Sequence, residues 1–187
     1  MVCFADSELD AEVRRWSWLG IDRDTYTRTV GADGYRWEYD VVNEGYKYHG
    51  NSVMAAMGLV SLRYVEEDND QRRRIADWYD EFLDNGIDRV PVAPRCEPSR
   101  HLYQILVDHR DEVMVGLNGR GIYPGLHYRD NTFYRMYDSS PSPCPRARAA
   151  SARLISLPLH LHMSRDDVRR VAESVGEAIS EASSVGR

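Results

Sequence analysis

Residues 44–59 read EGYKYHGNSVMAAMGL, and the character of the chain changes within them. The first half is polar and aromatic, with Tyr46, Tyr48 and His49 framing Lys47. The second half becomes apolar at helical spacing: from about Ser52, the residues Val53, Ala56, Met57, Val60 and Tyr64 fall at i, i+3, i+4, i+7 and i+11. Lys47 is the only lysine in the chain, and the other basic residues among the 24 Lys and Arg are all arginine. A lone lysine in such a setting has three readings, as a Schiff-base nucleophile, a phosphate ligand or a surface charge.

Upstream, Asp6 or Ser7 caps a predicted helix over roughly Glu8 to Trp18, preceded by a short strand at Met1 to Phe4. Residues 20–43 (GIDRDTYTRTVGADGYRWEYDVVN) are Gly-punctuated and aromatic, and read as a long functional loop with a short strand at Tyr39 to Val42. Downstream, Ile75, Trp78, Tyr79 and Phe82 mark a second helix, stopped by Asn85-Gly86. Residues 89–92 and 102–107 suit strands, and Arg110 to Asn118 suits a helix closed by Gly119 and Gly121. Residues 122–127 lead back extended, and Pro145 to Ile155 reads as a short helix with Pro158 as the break after it. Ser164 to Asp167 resembles a capping box with Asp in place of Glu. It opens a final helix with Val168, Val171, Ala172, Val175 and Ile179 inward and a frayed tail, EASSVGR. This alternation predicts an α+β fold: a small, mostly antiparallel sheet with helices packed on it.

Composition narrows the class. A chain of 187 residues with 42% hydrophobic content buries one sizeable core, or a domain plus an appendage. No stretch approaches the roughly 20 apolar residues of a membrane span, and the first ten residues carry no secretory signal. A formal charge of -6 argues against a general nucleic-acid binder. Cys3, Cys96 and Cys144 are odd in number and widely spaced, as expected of reduced thiols in a cytoplasm.

Taken singly, the candidate groups have bland alternatives. His160 and His162 share one side if extended, but no third metal ligand is indicated, so no metal is expected. Trp16, Trp18, Tyr35, Trp37 and Tyr39 could stack on a planar ligand, although such clusters are more often packing anchors. Arg72-Arg73-Arg74 reads as a solvated face. Cys144 lies between two prolines with no neighbouring histidine, which does not suit a nucleophile.

The order of the motifs carries more. WLGIDRD (18–24), EGYKYHGNSVMAAMGL (44–59), RRRIADWYDEFL (72–83), SRHLYQILV (99–107), GIYPGLHYRDN (121–131) and LISLPLHLHMS (154–164) together resemble the C-terminal part of the DegT/DnrJ/StrS family of sugar aminotransferases. Several segments are most similar to nucleotide-sugar enzymes that make perosamine-like sugars. The resemblance runs from Met1 to about Ser180. It implies the C-terminal small domain of a fold-type-I aminotransferase dependent on pyridoxal 5'-phosphate, with residues 1–43 as the end of the large cofactor-binding domain and 44–187 as the small domain.

In this family the Schiff-base lysine lies upstream of the first motif present here, so no catalytic residue is expected in this chain. By resemblance, Lys47 reaches the cofactor phosphate of a neighbouring subunit, where an ammonium acts as a compact point charge. A nucleophilic lysine must be partly neutral, through desolvation or cationic neighbours, and nothing around Lys47 demands that. His49 stands where the family often has Arg, and Gly50 where it has Met. The resemblance assigns substrate contacts to His49, Asn51, His127, Tyr128 and Arg129, and offers Arg23 as a phosphate contact. Asn51 reads equally as a helix N-cap. His101 takes a supporting role. The implied reaction uses an amino donor such as glutamate to aminate a nucleotide-linked keto sugar. The implied partner is a second copy of the chain, or an N-terminal half carrying the missing lysine. The alternative is a non-catalytic remnant that binds a sugar nucleotide or pairs with an intact paralogue.

Overall fold

A computed structural model describes residues 4–21, 40–137 and 144–185. The chain divides into two compact units, Met1–Leu62 and Arg63–Arg187.

In the first unit, α1 (Ser7–Ser17) starts at Asp6, whose carboxylate accepts from the amides of Glu8 and Leu9 at 2.8 and 3.2 Å. This is the predicted cap. The helix runs into Trp18–Ile21, which lies against the extended segment around 41–48. Isolated bridges join Ile21 to Val41 and Trp18 to Lys47. The expected short strand is thus a single bridge at Val41 among the described residues. After the extended segment, Asn51 caps α2 (Ser52–Ser61) by accepting from Met54 N at 2.9 Å. No residue of α1 or α2 is buried. Residues 1–3 of the expected opening strand, and Cys3 with them, lie outside the described residues, as do Arg23, Tyr35, Trp37 and Tyr39.

The second unit holds the core. Its α3 (Val65–Phe82) begins with Glu66, Glu67 and Asp68 in the first turn, where carboxylates complement the helix dipole. It buries Ile75, Ala76 and Tyr79. Three antiparallel strands follow in the order β1 (Asp88–Arg89), β2 (Tyr103–Leu106) and β3 (Leu154–Leu157). Tyr103 pairs with Leu157 and Ile105 with Ile155. Between β2 and β3 lie α4 (Arg110–Gly119) and α5 (Pro145–Arg153), and α6 (Arg165–Val185) closes the chain. Both α3 and α4 pack against α6. The fully buried centre is Tyr79, Ile75, Ile105, Leu117, Ile155, Val113, Val168 and Val175, and each such side chain contributes about 1.5–3 kcal/mol by leaving water.

Three expectations need correction. The strand expected over 89–92 shortens to Asp88–Arg89: Val90 N still reaches Gln104 O at 3.2 Å, but Pro91 has no N–H to continue the ladder. The helix expected through Ile155 ends at Arg153, because Leu154–Leu157 is taken by pairing with β2 and Ile155 is fully buried there. The tail expected to fray stays helical through Val185, held where Ala178 and Ala182 are buried. The box at Ser164 is as predicted: Ser164 N and Oγ donate to Asp167 Oδ2 at 2.9 and 2.6 Å, and Asp167 N returns to Ser164 Oγ at 3.2 Å.

Candidate functional site

Lys47 sits on a segment fixed by its backbone. Tyr46 N donates to Trp16 O at 2.6 Å, Leu19 N to Tyr46 O at 3.0 Å and Tyr48 N to Ser17 O at 3.0 Å. Two glycines allow this approach. A Cβ on Gly20, whose φ is +72°, would lie 1.8 Å from Asn43 O, and one on Gly45 would lie 2.0 Å from Gly20 N. No side chain fits at either place. Tyr46 and Tyr48 stack at 5.3 Å on one side of the segment, and alternation along extended backbone sends Lys47 to the other. Its side chain is exposed, and among the described residues no hydrogen bond or ion pair engages it. These are not the desolvated surroundings of a nucleophilic amine. They suit a cation presented to an anion.

His49 is exposed, and its ring meets Trp18 edge-on at 4.0 Å. Asn51 lends its carbonyl oxygen to the α2 cap, which leaves its amide N–H₂ for other contacts.

In the second unit, His127, Tyr128 and Arg129 form one corner. His127 packs under Gly125, where a Cβ would come within 2.4 Å of the imidazole Cε1. Its carbonyl accepts from the Gln104 amide, and its Nδ1 is buried with no partner among the described residues. Tyr128 is exposed and stands edge-on to His127 at 5.2 Å. Arg129 lies over the Phe133 ring at 4.9 Å, with Arg148 at 5.2 Å. Asp130 anchors the turn: its N–H donates to Ser151 Oγ at 3.0 Å, and its carboxylate accepts from Thr132 N and Oγ1. The corner therefore presents a phenol and a guanidinium on a braced support, beside a half-buried imidazole, and the two exposed groups can bind hydroxyls and anions.

Other residues singled out in the sequence are placed plainly. His160 and His162 lie 6.3 Å apart with tilted rings. Among the described residues no group of three His, Cys, Asp or Glu could hold a metal, and no helix is long and apolar enough to cross a membrane. Arg73 pairs with Asp70 and Glu97, and Arg74 donates to Gln71. His101 is exposed beside a cleft of about 360 Å³, lined by Asp80, Arg89, Arg100 and Tyr103 among others. In it the Tyr103 hydroxyl donates to Asp80 at 2.6 Å, and burial followed by this carboxylate holds the phenol well above its usual range. Tyr79 is likewise pushed up by burial and donates to Pro158 O at 2.7 Å. Neither the cleft nor the close-packed glycines could be read from local patterning. The proline-rich run PVAPRCEPSR (91–100) was the available signal for a shaped loop.

This α+β arrangement is an aminotransferase fold. It matches the aminotransferase TlmJ from Streptoalloteichus hindustanus at 29% identity and a TM-score of 0.83, covering 96% of this chain and 47% of that one. Spr1654 of Streptococcus pneumoniae in its PMP form matches at 27% and 0.83, covering 96% and 47%. The sugar aminotransferase CalS13 from Micromonospora echinospora matches at 27% and 0.77, covering 92% and 45%. The chain belongs to the DegT/DnrJ/EryC1/StrS aminotransferase family, which it matches over residues 1–176. Aminotransferases of this family depend on pyridoxal phosphate. The chain spans a little under half the length of these solved relatives.

Proposed function

We propose that this chain supplies the C-terminal part of a pyridoxal-phosphate transaminase that aminates a nucleotide-linked keto sugar, using an amino donor such as glutamate. Residues 1–43 then belong to the end of the large domain and 44–187 to the small domain. The Schiff-base lysine comes from the part of such enzymes that this chain does not span. The observation that carries this reading is Lys47: the sole lysine, on a glycine-pinned segment, exposed and without a partner among the described residues.

Bound cofactor would supply the electron sink for moving the amino group. The chain's own groups would bind and orient. Lys47 would hold the cofactor phosphate of a neighbouring subunit in a dimer, and the exposed His49 and the free amide of Asn51 would line the same side. His127, Tyr128 and Arg129 would take the sugar and its phosphate oxygens. Cys96, exposed as a free thiol, suits a reducing cytoplasm.

The test is amination of a nucleotide-linked keto sugar by this chain assembled with a lysine-bearing cofactor segment. Lys47→Ala should raise the cofactor concentration needed for half-maximal activity roughly tenfold to a hundredfold, as expected for about 1.5–3 kcal/mol from a charged hydrogen bond, while Lys47→Arg should retain most of it. An assembly that binds sugar nucleotide but never transfers nitrogen would leave the non-catalytic alternative standing and refute this one.

A further inference from the structure

We infer that the cleft between β1 and the loop 91–101 binds a small monocarboxylate with an apolar body, a ligand distinct from cofactor, sugar and amino donor. None of the residues assigned above to the cofactor or the sugar lines this cleft, and the inference does not depend on the transaminase reading. The cavity holds about 360 Å³, within the range of small-molecule sites.

Charge selects the ligand's head. The acidic and guanidinium side chains on the wall are Asp80, Arg89 and Arg100. Asp80 accepts from Tyr103 Oη at 2.6 Å and lies 3.3 Å from Arg89 Nε, while Arg89 also donates to Ile87 O and Leu83 O at 3.0 Å. Those two charges cancel, and a single positive charge is left on Arg100. Glu97, the one acid on the loop, pairs with Arg73 at 3.2 Å instead. Arg100 is half-buried and has neither hydrogen bond nor ion pair among the described residues. Its planar fork of N–H donors matches the two oxygens of a carboxylate. A monoanion balances the leftover charge, whereas the further negative charges of a phosphate ester or diphosphate would stand unpaired against apolar walls, which is costly. Arg100 also holds a left-handed φ of +52°, as Arg95 on the same loop holds +65°, and strained backbone of this kind recurs at ligand clamps.

The remaining wall selects the ligand's body. Val90, Pro91, Val92, Pro98 and Leu102 supply apolar surface, and Val90 and Val92 are still 40% and 38% exposed. A hydrocarbon chain or aromatic ring would take that surface out of water, with a gain proportional to the area covered. Acetate would leave it bare. Glutamate would bring a second carboxylate and an ammonium, for which the wall holds no unpaired charge.

Cys96 lines the cleft and is an exposed free thiol, whereas Cys144 does not line it and serves as an internal reference. Iodoacetamide labelling of the full chain, read peptide by peptide by mass spectrometry, measures occupancy. The probe is phenylacetate, with phenylacetamide as the uncharged analogue and acetate as the head without the body. Phenylacetate is expected to slow alkylation of Cys96 and leave Cys144 unchanged, at a concentration roughly tenfold or more below that needed of either control. Arg100→Ala should raise the half-protecting concentration by a similar factor, and Arg100→Lys should raise it less. Arg100→Gln, which keeps most of the stem and removes the charge, should behave as Arg100→Ala does if the cation, and not loop packing, holds the acid. Unchanged Cys96 labelling with phenylacetate, or protection that survives Arg100→Gln, would overturn the site. Equal protection by phenylacetamide, acetate or glutamate would overturn the ligand class, as would protection by uridine diphosphate at lower concentration than phenylacetate.

Discussion

Gly20 and Gly45 decide where Lys47 stands. Because a methyl group on either would lie about 2 Å from backbone atoms, Gly45→Ala should cost about 1–3 kcal/mol in strain and lost packing and loosen the Lys47 segment, seen as faster amide exchange at Tyr46 and Tyr48. At Gly125, Ala would displace the His127 ring from under it, and Gly125→Ala should shift the His127 imidazole resonances without disturbing those of α6. At Asp167, hydrogen bonds from the Ser164 hydroxyl and backbone hold the carboxyl below its ordinary value. A depressed carboxylate contributes stability that is present above its unfolded value and lost as pH falls through the folded one. Asp167→Asn should therefore lower the melting temperature at pH 7 and make little difference near pH 2. The residue types at these places were plain in the sequence, but their contacts were not. The Asn51 cap could be read from local sequence, whereas the close approach at Gly45 depends on chain segments brought together by folding.

Helix α2 is apolar around its whole circumference. Val53, Met54, Met57 and Leu59 are each 66–70% exposed, although they point in different directions along SVMAAMGLVS. A helix of this kind normally lies enclosed by protein, so the isolated chain should bind an apolar dye and self-associate in sedimentation, and Met57→Glu should weaken both. A chain that sediments as a monomer and binds no dye would contradict this. The periodicity of Val53, Ala56, Met57 and Val60 was legible and located the helix, yet it implied one buried face, and none is buried here. Strand limits were less legible. The short β1 is set by Pro91, a local signal that was available, while the boundary at Arg153 is set by β2, a partner some fifty residues away that local spacing does not reveal. Helix caps, by contrast, are local chemistry: the α1 cap was narrowed to Asp6 or Ser7, of which the structure uses Asp6, and the box at Ser164 was located from sequence.

Stability in the second unit comes from one core shared by the sheet, α3, α4 and α6. Ile105→Ala and Val175→Ala, at fully buried positions, should each cost about 2–4 kcal/mol, measured by denaturant unfolding. Family membership places this core among the DegT/DnrJ/EryC1/StrS aminotransferases, and the chain spans a little under half the length of TlmJ. The central claim is that Lys47 serves as a phosphate-facing cation and not as the nucleophile. Borohydride reduction of the assembled enzyme with stoichiometric pyridoxal phosphate, followed by peptide mapping, tests it directly. Lys47 is expected to stay unmodified, with the label on a lysine of the other segment. A stoichiometric pyridoxyl group on Lys47, with turnover abolished in Lys47→Arg, would contradict it.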